Sequence, residues 1–160
     1  MNIRRRTLTY ITFDFLNAML AWGLFFFYRK KGFYINAEEY IKAVIDDPKF
    51  YYSIIIIPVF WIILYTVIGS YRSIFRRSRL KETGQILLAT FIGVTLIFFV
   101  FILDDVINSY KDYYKFYVYL FVVHFLLTAV VRFILTMQTN KRIHRGQLGF
   151  NTILVGSNGN

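Results

Sequence analysis

The chain contains no cysteine, which excludes disulfide cross-links and thiolate metal sites. It also lacks the constellations that usually carry chemistry. There is no His/Glu zinc motif, no Ser/His/Asp set and no carboxylate dyad on a shared helix face. Asp46-Asp47 and Asp104-Asp105 are adjacent pairs, and adjacent residues do not share a helix face. Acidic residues are scarce, nine against nineteen lysines and arginines. Most telling, four long runs lack the polar face that a soluble helix needs every few residues. They are Leu8–Tyr28, Ser53–Tyr71, Ile86–Leu103 and Phe116–Met137.

What is present is apolar and aromatic. Hydrophobic residues make up 57% and aromatics 21% of the 160 residues, and mean hydropathy is +0.48, above the usual soluble composition. Each of the four runs has about the ~17–25 residues that cross ~30 Å of hydrocarbon as a helix. Four transmembrane helices are therefore expected. The first is long, rich in Phe and Tyr, and closes in Phe25-Phe26-Phe27-Tyr28 without small residues for signal cleavage, so it reads as a retained span.

The charges sort onto one side of such a bundle. One end carries Arg4, Arg5, Arg6, Arg72, Arg76, Arg77, Arg79, Lys81, Lys141, Arg142 and Arg145 against the single acid Glu82. The other end carries seven basic and seven acidic residues, and Asp14 and Arg132 cancel within the spans. The whole formal charge of +10 thus falls on one face, which places that face and both termini in the cytoplasm. This distribution accounts for the basic composition through topology and anionic headgroups, and argues against nucleic-acid binding. Arg72, Arg76, Arg77, Arg79 and Lys81 are the candidate lipid-headgroup contacts.

Between the first two spans, Asn36 can cap a helix over Ala37–Asp47, paired with Glu39 and ended by Pro48. Ala37, Tyr40, Ile41, Val44 and Ile45 share one face, as in an interfacial anchor helix; a substrate lid is the alternative. Pro58 should kink the second span.

Three ionisable residues lie inside the spans. Asp14 is six residues from the start of the first run, and Arg132 five from the end of the last. Both therefore lie roughly 8–9 Å below the same boundary. Equal depth and opposite charge predict an Asp14–Arg132 ion pair, with separate snorkelling to the headgroups as the alternative. His124 lies alone near mid-membrane and reads as an interhelical hydrogen-bonding residue. No residue is assigned to catalysis, cofactor or metal.

The chain closes with Asn151–Asn160, in which β-branched residues lead into Gly156-Ser157-Asn158-Gly159. This looks like the first strand and glycine turn of a nucleotide-binding fold. The expected fold is thus all-α, a four-helix transmembrane bundle with a C-terminal stub of a Rossmann-like first strand. Its expected divisions are a membrane domain at 1–137, a polar linker at 138–150 and the stub at 151–160. The turn at Gly156 and Gly159 has no following helix N-terminus to hold a phosphate, so nucleotide binding by these residues is not expected.

Three features carry a resemblance: Gly69-x-Tyr71-Arg72 leaving the second span, a basic segment ending Ser78-Arg79-Leu80-Lys81-Glu82, and the linker into Asn151–Asn160. Together they resemble the N-terminal membrane region of bacterial polyprenyl-phosphate glycosylphosphotransferases, the initiating sugar transferases of exopolysaccharide and capsule synthesis. The resemblance implies a non-catalytic, inner-membrane anchoring domain. Catalytic carboxylates, and any Mg2+, would belong to a later domain of the parent protein. Its implied partners are the bilayer and anionic lipid or polyprenyl phosphate; oligomeric state is left open. The membrane region of nucleotide-sugar dehydratases and epimerases, which bind NAD, is the rival resemblance. A stand-alone membrane scaffold is the third reading.

Overall fold

The computed structural model describes residues 3–31, 36–71, 79–102 and 110–144. Five α-helices account for nearly all of them: α1 (Ile3–Lys31), α2 (Ala37–Ile45), α3 (Pro48–Val67), α4 (Arg79–Ile97) and α5 (Tyr110–His144). A π-helical turn, Phe98–Ile102, extends α4. No strand occurs among the described residues. The strand expected at 151–160, with Gly156 and Gly159, lies outside them.

Four helices are long and apolar enough to cross a membrane, over Arg5–Lys31, Pro48–Val67, Leu80–Val100 and Lys111–Gln138. Their packing is inverted relative to a water-soluble bundle. Leu16 and Leu20 on α1 are each 52% exposed, whereas Asp14 is 2% and Arg132 1% exposed. In water that arrangement would leave large apolar faces uncovered and charges desolvated. In a bilayer the outward leucines meet lipid and the polar groups turn inward toward partners. The chain is thus a multi-pass membrane protein.

α1 packs extensively on α3 and α5, and α5 also packs on α4. The shared interior is aromatic: Trp22 and Phe25 from α1, Trp61 and Tyr65 from α3, Phe116 from α5. Helix association in lipid depends on close packing and on interhelical hydrogen bonds. Both occur here. Trp22 Nε1 donates to Ser53 Oγ at 2.7 Å, and Trp61 lies directly over Gly93 of α4, where an added Cβ would meet the indole at 2.4 Å.

Several boundaries differ from the sequence reading. α1 and α5 extend past their apolar runs, because a helix leaving hydrocarbon can continue through headgroups into water. Residues 138–144, expected as linker, continue α5. Pro48 does not follow the end of α2 as a stop; it opens α3, where the missing N–H is costless, and Asp47 caps that helix by accepting from Lys49 N at 2.9 Å. α3 passes through Pro58 as one continuous helix. Asn36 has the extended backbone of a cap, but its side chain makes no cap bond and meets Glu39 at 3.5 Å.

α2 lies against the end of α1. Tyr40 Oη donates to the Phe27 carbonyl at 2.8 Å. Lys30 Nζ donates to the Ala43 carbonyl at 3.0 Å and pairs with Asp47 at 2.5 Å. Val44 is buried, while Ile41 and Ile45 remain about half exposed, one turn apart as an interfacial helix requires. Burial alone would raise the Asp47 carboxyl pKa, but the hydrogen bond and charge of Lys30 and the Lys49 amide hold it below the ordinary value.

Candidate functional site

The buried side of α5 repeats every four residues: Phe116, Leu120, His124, Thr128, Arg132 and Thr136. This spacing keeps one helix face turned inward. Its outer half is apolar and its inner half polar. The polar half meets polar residues of the other three spans, forming a seam near the end of the bundle that carries the termini.

The centre of the seam is an ion pair. Arg132 Nε donates to Asp14 Oδ1 at 3.0 Å, and a second guanidinium nitrogen donates to Asp14 Oδ2 at 2.6 Å. Both side chains are 1% exposed. The bidentate geometry matches guanidinium to carboxylate and ties α1 to α5. Snorkelling to the headgroups does not describe this arrangement.

Tyr71 completes the centre. Its hydroxyl donates to Asp14 Oδ2 at 2.9 Å, and its ring lies 5.8 Å from the guanidinium carbon. The path to this position starts at Gly69, which closes α3 with φ 75°. Ser70 N bonds the Tyr65 carbonyl at 2.8 Å and Gly69 N bonds the Thr66 carbonyl at 3.0 Å. These two bonds make a Schellman C-cap, in which glycine takes the left-handed conformation without Cβ strain. The turn directs the chain back to the bundle and delivers Tyr71 to Asp14. Gly69 and Tyr71 therefore act together, the turn at one placing the hydroxyl of the other.

On its other side Arg132 lies 4.4 Å from the Tyr65 ring, within cation–π range. Tyr65 Oη and His124 Nε2 share a hydrogen bond of 3.0 Å, and the His124 ring stacks on Trp61 at 3.6 Å. His124 is thus an interhelical hydrogen-bonding residue between α5 and α3. Nearer the termini, Thr136 Oγ1 donates to Glu82 Oε2 at 2.7 Å and, its own proton so used, accepts from Tyr10 Oη at 3.1 Å. This links α1, α5 and α4.

Glu82 is the main surprise. As the one acid among many basic residues it reads as a loop charge. It instead occupies the first turn of α4, 8% exposed, where a carboxylate complements the positive end of the helix. Tyr10, Tyr65, Tyr71, Thr136 and Glu82 were not singled out from sequence as site residues. The four-residue spacing of His124, Thr128, Arg132 and Thr136 was the available signal.

Of the candidate headgroup contacts, Arg72, Arg76 and Arg77 lie outside the described residues, as does the side chain of Arg79. Lys81 is exposed in the first turn of α4. Among the described residues no group of His, Asp and Glu is arranged to hold a metal ion. Both Asp14 oxygens are occupied by Arg132 and Tyr71, and Glu82 accepts from Thr136. The seam as built joins the helices, and within it His124 Nδ1 is buried without a hydrogen-bond partner. Compared with family models, curated proteins and solved structures, the chain gives no match.

Proposed function

We propose that this chain is the non-catalytic membrane-anchoring domain of a polyprenyl-phosphate sugar-1-phosphate transferase of exopolysaccharide or capsule synthesis, in the bacterial inner membrane with both termini cytoplasmic. The observation that carries the reading is the Tyr71–Asp14–Arg132 cluster. It uses a residue of the resembling motif to fix where the basic loop leaves the bundle. The same Arg132 belongs to α5, which runs six residues past Gln138, roughly 9 Å at ~1.5 Å per residue. One cluster thus ties the chain leaving α3 to α5, the last described helix before Asn151–Asn160 in the sequence. Such a domain holds a cytoplasmic catalytic unit at the leaflet where lipid phosphate is presented. The basic residues around positions 72–81 add attraction for anionic headgroups.

The test is transfer. Membranes expressing the chain with whatever follows Asn160 in its natural reading frame would be given a panel of radiolabelled nucleotide sugars and polyprenyl phosphate. The proposal expects a labelled polyprenyl-pyrophosphoryl sugar. It is overturned by the absence of labelled lipid across the panel, or by soluble keto-sugar or epimerised product in its place. Flotation on anionic vesicles checks the basic loop separately: neutralising Arg76, Arg77 and Arg79 together should weaken association in a salt-dependent manner.

A further inference from the structure

A groove of about 580 Å³ opens at the opposite end of the bundle from the termini, between α1 and the start of α5. It is shallow and open along the surface of α5, with Tyr28 as its one lining residue from α1. Tyr28 and Tyr119, stacked at 4.0 Å, form one wall, and Val118 and Val122 line its length. Tyr114 and Lys115 stand at the rim. Lys115 to Val122 covers about 10 Å along the helix axis, so the groove descends from headgroup level into hydrocarbon. In a bilayer its apolar length is lipid-facing.

Lys115 of the groove is paired with Asp112 one turn earlier on α5. Lys115 Nζ pairs with Asp112 Oδ1 at 2.9 Å, and their side chains are 63% and 30% exposed. An ion pair so placed contributes little, and its members can take other partners at small cost. An anionic headgroup would gain Lys115 but meet Asp112. A headgroup with a phosphate and a primary ammonium satisfies both partners at once, phosphate at Lys115 and ammonium at Asp112.

We propose that this groove is a lipid site taking one acyl chain of a phosphoethanolamine lipid along Val118 and Val122, with its headgroup across the Asp112–Lys115 pair. Choline lipids lack the N–H bonds that Asp112 would accept, and glycerol lipids lack the cation.

The test is lipid retention by the full chain, purified in detergent and titrated with phosphatidylethanolamine, phosphatidylcholine and phosphatidylglycerol of matched chains, read by native mass spectrometry. Phosphatidylethanolamine should bind about threefold more tightly than either other lipid, the size that one exposed ionic contact supports. The double variant Asp112→Asn/Lys115→Gln should bind all three alike. Val122→Trp, which fills the groove from an exposed position, should lose the bound lipid while the helical circular dichroism is unchanged. Equal or tighter binding of phosphatidylglycerol by the native chain would overturn the headgroup assignment. Undiminished lipid on Val122→Trp would overturn the groove itself.

Discussion

Separating Asp14 from Arg132 should reveal one of the largest pairwise couplings in the bundle. Asp14→Asn leaves a guanidinium that cannot shed its proton, buried at 1% exposure, facing a neutral amide and the Tyr65 and Tyr71 rings. Stranding one member of a buried pair costs about 3–5 kcal/mol. Arg132→Gln should cost less, about 2.5–3.5 kcal/mol, because Tyr71 still donates to Asp14 and a carboxyl stranded in hydrocarbon can be neutralised by a proton. In the double variant no charge remains, and the two amides can bond across the helices for ~0.6–1.7 kcal/mol. Its total should therefore fall short of the sum of the singles by about 2 kcal/mol or more, well beyond the ~0.3–0.5 kcal/mol expected of independent sites. Reversible unfolding in mixed lipid–detergent micelles measures each value, with Trp22 and Trp61 as buried fluorescent reporters. Simple additivity, or a larger loss for Arg132→Gln than for Asp14→Asn, would refute the reasoning.

Other outcomes follow from single contacts. Tyr71→Phe removes a hydrogen bond to a charged acceptor and should cost about 1.5–3 kcal/mol; Gly69→Ala, strained at φ 75°, should cost roughly 1–2 kcal/mol, both measurable in the same unfolding assay. Gly93→Ala would drive a methyl into the Trp61 ring and should destabilise by about 1–3 kcal/mol or more, whereas Gly84→Ala, with open space around it, should stabilise α4 by up to about 1 kcal/mol. Asp47 has a lowered carboxyl pKa. Its contribution is therefore complete above the ordinary value of 3.8 and lost as pH falls through the lower folded value. Asp47→Asn should accordingly lower the thermal midpoint at pH 7 but not well below pH 3.8, a comparison that differential scanning fluorimetry can make.

The spans were legible in the sequence because hydrocarbon thickness sets helix length, and four runs had that length. Equal depth and opposite charge offered an Asp14–Arg132 pair beside separate snorkelling, and the structure has the pair, with a bidentate geometry that depth did not foretell. Tyr71 was harder to assign, since tyrosines are common at membrane interfaces and only the Gly69 turn aims this one inward. Glu82 was misread because linear charge counting grouped it with neighbouring arginines, while the start of α4 rotates it into the bundle. Pro48 suits a helix stop and a helix start alike, and the Asp47 cap decides between them. The extension of α5 to His144 carries no apolar signal, because those residues have already left the hydrocarbon.

The most direct test of a four-span anchor with its basic end in the cytoplasm exploits the missing cysteine, which leaves an introduced thiol as the one labelling site among these 160 residues once the chain is isolated. Glu38→Cys in α2 and Lys81→Cys at the start of α4 lie at opposite ends of the bundle. Treated as spheroplasts with a membrane-impermeant maleimide, the position-38 variant should label at once, and the position-81 variant only after the membrane is opened. Labelling of both from outside, or the reverse order, would contradict the account.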